Sequence, residues 1–153
     1  MAKPLLIKPH HLLDIIRDFG AGRKHEPHPY GHHVHRLAGI IRNNPETVFV
    51  LTAEADSICE PCCNLVENRC MDTTTSPGKK VSKESWNLLI DSRIFERLAL
   101  EEGTAITALD FCRLASERLG DLYTLYAEVD PGKTAVRKKN LKRGLEQYLK
   151  ASR

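Results

Sequence analysis

The chain has 153 residues, of which 41% are hydrophobic and 28% are charged, and its formal net charge is +3. These values are typical of a folded globular protein and exclude a disordered or low-complexity chain. No run of 18 apolar residues is present, and the N-terminal residues lack the pattern of a signal peptide. We therefore expect a single cytoplasmic domain over residues 1–153, in which the five cysteines stay reduced.

Apolar residues recur at helical spacing in two segments of the first third of the chain. A first helix is expected from Pro9 to Gly20, and a second over residues 31–43, separated by a loop rich in glycine and proline. Their expected buried faces consist of Leu12, Ile15, Ile16 and Phe19 in the first helix and of Val34, Leu37, Ala38 and Ile41 in the second. The β-branched and apolar segment 47–52 is the best candidate for a strand.

Three further helices are predicted in the second half. Ser82 is expected to cap a helix that ends near residue 98, and Thr107 to cap one that ends near residue 119. The inward residues of the first of these are expected to be Trp86, Leu89, Ile90 and Ile94. Residues 132–153 form a basic C-terminal helix with Leu141, Leu145, Tyr148 and Leu149 on its apolar face. Together, the predicted helices and the predicted strand indicate a mainly α protein with a small β element, which is an α+β fold of about five helices.

Four of the five cysteines lie within the segment 58–71. Cys59 and Cys62 form a Cys-x-x-Cys pair, whose sulfurs a tight turn brings to the same side, and Cys70 follows eight residues later. Thiolates are preferred ligands of zinc and of iron–sulfur clusters, so this loop is predicted to bind a metal through these three residues. Cys63 is a possible further ligand, but adjacent residues seldom point the same way. Cys112 lies on the apolar face of its helix and is expected in the core.

All seven histidines lie between residues 10 and 35. His10 and His11 open the first helix, and Asp14 shares a helix face with both, so it is a candidate either to orient an imidazole or to bind the metal itself. The alternative is that the two histidines cap the helix or fill a polar gap. His32 and His35 are near enough in sequence to share a metal or an anion, but their position favours a solvated face of the second helix. The proline-containing loop before them is an alternative candidate for a pocket wall.

Three sequence features together resemble the family called domain of unknown function 1284. They are the Pro-His-His-Leu-Leu-Asp stretch at 9–14, the His-Pro-Tyr-Gly-His stretch at 28–32, and the cysteine loop. Members of that family are small bacterial and archaeal proteins described as iron–sulfur or metal-binding. The resemblance implies a metal site at Cys59, Cys62 and Cys70 with His10, His11 or Asp14, and it implies no reaction. Many members carry cysteine at the position of Asp14, and this chain does not.

Two functions follow as hypotheses. The first is an iron–sulfur cluster held by three cysteines, with a histidine, an aspartate or an open position as the fourth ligand, next to a small-molecule pocket. The second is a structural Cys3His zinc module with a non-catalytic binding role. Residues 132–153 carry a net charge of +7 against −4 for the remainder, but few aromatics accompany the basic residues, so nucleic acid is not the expected partner. A small molecule is a possible substrate, and the sequence does not identify a protein partner.

Overall fold

Six helices make up most of the regular structure in the computed structural model, which describes residues 4–152. The predicted mainly helical α+β fold is confirmed. A four-residue helix, α5, was not anticipated, because it is too short to show a periodic pattern. The helices are α1 (Pro9–Gly20), α2 (Val34–Asn43), α3 (Lys83–Leu98), α4 (Ala108–Arg118), α5 (Leu122–Leu125) and α6 (Pro131–Ala151).

The strands are short and form three small sheets. The predicted strand, β2 (Val48–Leu51), pairs in parallel with β1 (Leu5–Ile7) and antiparallel with β7 (Ala105–Thr107). Both outer strands have three residues, too few to show an alternating pattern in the sequence. Two hairpins complete the set: β3 (Leu65–Val66) with β4 (Arg69–Cys70), and β5 (Thr73–Thr74) with β6 (Val81–Ser82).

The capping predictions for α3 and α4 are confirmed. The Ser82 side chain accepts a hydrogen bond from the backbone N–H of Ser85 at 3.3 Å, and Thr107 accepts one from Asp110 at 3.0 Å. Each bond satisfies one N–H group that the first helical turn leaves without a backbone partner. The inward placement of Leu89 was wrong, because its side chain is 40% exposed. Trp86 is half-buried and lines a cavity described below.

Two helix starts differ from the sequence prediction. Helix α2 begins at Val34 rather than at Gly31, and residues 31–33 form an irregular segment ahead of it. Gly31 has a φ of +79°, which is incompatible with a right-handed helix and favours glycine. Helix α6 begins at Pro131, because the Asp130 side chain accepts a hydrogen bond from the Lys133 N–H at 3.3 Å and caps the first turn.

Helices α1 and α6 cross in close backbone contact, and two glycines make this contact possible. A Cβ atom on Gly20 would lie 1.9 Å from the backbone oxygen of Asn140, and one on Gly144 would lie 2.0 Å from the oxygen of Ile16. No side chain fits at either position. The crossing brings Arg137 of α6 to Asp14 of α1, which is how the basic helix reaches the site described next.

The buried apolar residues form one cluster that runs from Ile7 of β1 to Tyr148 of α6. Cys112 is fully buried within it, as predicted. In residues 4–152, no helix combines the length and the apolar character needed to cross a bilayer.

Candidate metal centre

A cavity of about 320 Å³ lies between the start of α1, the loop before α2, the cysteine loop, α3 and α6. Most of the side chains singled out in the sequence line this one cavity: His10, His11, Asp14, His32, Cys59, Cys62 and Cys70. His35 and Cys63 are not among its lining residues. The fold therefore brings together the two sequence segments, 10–14 and 59–70, that carry the candidate ligands.

The cysteine loop reaches the cavity through two turns. The backbone N–H of Cys62 donates to the oxygen of Cys59 at 2.8 Å, which closes the tight turn expected of the Cys-x-x-Cys pair. The β3–β4 hairpin then reverses the chain at Glu67 and Asn68, whose φ values of 49° and 65° suit a two-residue hairpin turn. Cys70 consequently pairs with Leu65 and returns to the cavity, where Glu84 accepts a hydrogen bond from its N–H at 2.9 Å.

His10 is held by a buried carboxylate that the sequence analysis did not identify. Nδ1 of His10 lies 2.9 Å from both carboxylate oxygens of Asp91, and the His10 backbone N–H donates to the same group at 2.8 Å. Asp91 lies on α3 and is fully buried. Burial alone would lower the pKa of His10, but the Asp91 carboxylate outweighs it and holds the pKa above its ordinary value.

His11 has a second buried carboxylate of its own. Its Nδ1 lies 2.7 Å from Oδ2 of Asp56, which is 2% exposed. Asp56 also accepts backbone hydrogen bonds from Lys8 at 2.8 Å and from Cys59 at 3.0 Å, so it ties the start of α1 to the cysteine loop. Burial would raise the pKa of Asp56, but the His11 charge and these hydrogen bonds hold it well below its usual range.

The two carboxylates determine which ring nitrogen is available to a metal. An ionised carboxylate only accepts hydrogen bonds, so Nδ1 of His10 and of His11 carries a proton, and Nε2 is the ring nitrogen that can bind a metal, which must displace any proton held there. This carboxylate–histidine arrangement is the usual support of metal-binding imidazoles. The two rings are neighbours, with centroids 4.2 Å apart. His10 and His11 are thus fixed side by side at the cavity wall.

One set of three described residues offers potential ligand atoms that all lie within 4.8 Å of one another: His11, Asp56 and Cys59. Burial, followed by the Asp56 carboxylate, raises the pKa of the Cys59 thiol to about 12. The thiol is therefore protonated at neutral pH unless a metal ion displaces its proton.

Asp14 pairs with two arginine side chains. Its Oδ1 accepts hydrogen bonds from Arg137 at 2.6 Å and from Arg17 at 3.2 Å. Asp14 lines the cavity, but Asp91 and Asp56, rather than Asp14, contact Nδ1 of His10 and of His11. Burial would raise the pKa of Asp14, but Arg137 and Arg17 lower it to about 2. Asp14 anchors α6 to the rim of the cavity.

The loop before α2 forms one wall of the cavity and packs against the cysteine loop. The backbone oxygen of Tyr30 accepts a hydrogen bond from Cys63 at 2.7 Å, and the N–H of His33 donates to Ile58 at 2.9 Å. The sequence favoured a solvated face of the second helix for His32, but His32 precedes α2, lines the cavity and stacks on His28. Burial and His28 lower the pKa of His32, which favours its neutral form.

The remaining candidates lie outside the cavity. The side chain of Cys63 is exposed. His35 has its Nδ1 buried without a hydrogen-bond partner, and its ring packs edge-on against His33 with centroids 5.9 Å apart. The structure thus separates His35 from His32, although the two are three residues apart in sequence.

Asp56 and Asp91 are the site residues that sequence reasoning missed, and each had a recognisable signal. Asp56 lies three residues before the first cysteine, at a position where a carboxylate can cap the turn through the N–H groups of Ile58 and Cys59. Asp91 falls on the apolar face of α3 next to Ile90 and Ile94. An acidic residue on a buried helix face needs a partner, which is often a functional group.

Comparisons with protein-family models, with curated proteins and with solved structures found no match to this chain. The resemblance noted from the motifs therefore stays a prediction.

Proposed function

We propose that this protein binds an iron–sulfur cluster in the cavity, through Cys59, Cys62 and Cys70. The fourth ligand in this proposal is the Nε2 atom of His10 or His11. The observation that carries the proposal is the support of both imidazoles by buried carboxylates, on the wall of a cavity that three cysteines also line. Metal-binding histidines usually have a carboxylate or carbonyl partner at the other ring nitrogen, and both histidines have a carboxylate there.

The chemistry and spacing of the donors fit a cluster. Three thiol groups and a neutral imidazole nitrogen are soft and borderline ligands, which suit iron–sulfur clusters and zinc. A tetrahedral zinc site with Zn–S bonds of about 2.3 Å separates its sulfurs by about 3.8 Å. The described residues contain no set of three cysteine sulfurs within 4.8 Å of one another, although all three cysteines line one cavity. The three sulfurs therefore do not form the compact arrangement that a single zinc ion needs, which supports the proposal of a cluster.

Bound in this position, an iron atom without a cysteine ligand would supply Lewis acidity. The protein contributes the rest. His32, which favours the neutral form, faces the same cavity as a candidate proton acceptor, and Trp86 and Ile90 add apolar surface. We extend the proposal to a small-molecule ligand bound next to the cluster. The thiols must be reduced to bind metal, and all five cysteines are free, which supports a cytoplasmic location.

A single zinc ion is the second candidate, favoured by the compact set of His11, Asp56 and Cys59. In this alternative the metal closes the junction between α1 and the cysteine loop and has a structural role. Removing it with a chelator would then unfold the protein.

The test is the metal and sulfide content of protein purified without oxygen, together with its visible spectrum. Wild type is compared with a Cys59→Ser/Cys62→Ser variant, and Cys63→Ser is the matched control because this exposed cysteine adjoins the pair. The proposal expects iron with acid-labile sulfide and a brown absorbance, all lost in the double variant and kept in the control. Zinc at one ion per chain in a colourless protein would support the structural alternative and overturn the cluster.

A further inference from the structure

We propose that the cavity binds a small monocarboxylate through the ammonium group of Lys8. This inference rests on the proposed function for the neighbouring metal ligands, since it names the class of molecule that occupies the same cavity. Its evidence is the burial of Lys8 and the absence of an ion-pair partner for it among residues 4–152, which the argument for metal binding does not use.

Lys8 is a lysine in an unusual environment. It lies between β1 and α1, it is only 2% exposed, and it lines the cavity. Its backbone N–H donates to Oδ2 of Asp56 at 2.8 Å, so the start of the side chain is held in place. Lysine is almost never this buried without an ionic partner, because a buried charge loses its hydration.

No ion pair or side-chain hydrogen bond within residues 4–152 involves the Lys8 ammonium group. The other charged side chains lining the cavity have partners. Asp14 binds Arg137 and Arg17, Asp18 also binds Arg17, and Asp72 lies 3.6 Å from Lys83. Lys8 is therefore the cationic side chain of the described cavity wall that has no ion-pair partner among residues 4–152.

The chemistry of the missing partner follows from these charges. One free ammonium group complements a ligand with one negative charge, such as a carboxylate, better than a phosphate with two charges. The cavity walls also include Ile15, Trp86 and Ile90, which offer apolar surface to a short carbon chain. At about 320 Å³, the cavity is near the lower limit for small-molecule sites, and the metal centre takes part of this space. The ligand is thus a carboxylate of a few carbon atoms.

The competing explanation is that the cysteine thiolates alone balance the charge of Lys8. The two explanations predict different results for a Lys8→Met variant. If Lys8 binds a carboxylate, the variant loses ligand binding and keeps its metal. If Lys8 serves only the thiolates, the variant loses metal, and the wild type does not bind carboxylates.

The experiment measures binding of isobutyrate to the full chain, purified without oxygen, by titration calorimetry. Isobutyramide has the same shape without the charge, and inorganic phosphate is the second comparison. Lys83→Met is the matched control, because Lys83 lines the same cavity but already has Asp72 as a partner. We expect isobutyrate to bind wild type. Lys8→Met should weaken this binding tenfold or more, as expected for the loss of one charge-assisted hydrogen bond. Lys83→Met should change the affinity less than threefold.

Thermal unfolding of the same variants checks the fold. Lys8→Met is expected to raise the melting temperature by a few degrees, because it removes a buried charge without a partner. If this variant does not fold, Lys8→Gln replaces it in the binding measurement.

Three outcomes would overturn the inference: no binding of isobutyrate to wild type, equal or tighter binding of isobutyramide or phosphate, or unchanged binding in the Lys8 variants. Iron and sulfide are measured on the same samples, and the titration is repeated on protein treated with a chelator. Isobutyrate binding that depends on Lys8 in protein without iron would support the carboxylate site and refute the cluster. Protein that contains iron and sulfide but does not bind isobutyrate would support the cluster and refute the carboxylate site.

Discussion

The Nδ1 atom of His10 lies 2.9 Å from both carboxylate oxygens of Asp91, and the backbone N–H of His10 donates to the same carboxylate at 2.8 Å. One fully buried aspartate on α3 thereby fixes the position, the ring orientation and the tautomer of a histidine 81 residues away. This relationship joins the helix that carries the candidate histidines to the opposite wall of the cavity.

Asp91→Asn tests what this carboxylate contributes. Asparagine keeps the shape of the side chain but loses the charge and one acceptor, so the Nδ1 proton of His10 is no longer favoured. We expect metal affinity to fall by about 10–100-fold, measured by competition with a chelator. Asp72→Asn is the control, because Asp72 lines the same cavity without contacting a histidine. Equal metal affinity in wild type and a folded Asp91→Asn variant would show that His10 has no role in metal binding.

The ion pairs of Asp14 predict a dependence of stability on pH. The pKa of Asp14 is about 2 in the folded protein against an ordinary 3.8, because Arg137 and Arg17 outweigh the effect of burial. A lowered pKa stabilises the folded state above the ordinary value, and this contribution disappears as the pH falls from about 4 to about 2. Because the side chain is 32% exposed, we expect a contribution of about 1 kcal/mol.

Urea unfolding of wild type and Asp14→Asn at pH 6 and at pH 2.5 measures this contribution. The variant should be less stable than wild type at pH 6, and the difference should shrink at pH 2.5. A difference of the same size at both values would mean that the pairs with Arg137 and Arg17 do not stabilise the fold.

The crossing of α1 and α6 predicts the effect of a single methyl group. In Gly144→Ala, the new Cβ atom would lie 2.0 Å from the backbone oxygen of Ile16, so the helices must separate. We expect a loss of about 1–3 kcal/mol in the free energy of unfolding in urea. Gly39→Ala in α2 is the control, because no atom lies within 4 Å of its added Cβ. It should stabilise the protein by about 0.5–1 kcal/mol through its helix propensity. A Gly144→Ala variant as stable as wild type would contradict the close crossing.

The parts of the fold that the sequence predicted correctly depend on local patterns. The apolar spacing of α1, the capping residues Ser82 and Thr107, and the core position of Cys112 each involve residues within one or two helical turns. The strand over 48–51 was identified from its β-branched residues, but its partners β1 and β7 were not. Those strands have three residues each, and they form through their pairing with β2. This pairing cannot be inferred from the local sequence.

The candidate site shows the same division between local and long-range information. The cysteine loop and the paired histidines could be predicted from their spacing, whereas the residues that support them could not. Asp91 is 81 positions from His10 and Asp56 is 45 positions from His11, so only the folded chain brings them together. Asp14 is a candidate partner of the histidines because it is close in sequence, but their Nδ1 atoms contact Asp91 and Asp56, and α6 places Arg137 against Asp14.

The most direct test of the central claim is the amount of iron and acid-labile sulfide per chain in protein purified without oxygen, for wild type, Cys70→Ser and Cys63→Ser. Cys70 reaches the cavity only because the β3–β4 hairpin returns it there, whereas Cys63 is exposed outside it. We predict iron with sulfide in wild type, a marked loss of both in Cys70→Ser, and wild-type amounts in Cys63→Ser. Wild-type protein with no iron and no sulfide, or equal amounts in all three proteins, would contradict the claim that these cysteines hold an iron–sulfur cluster.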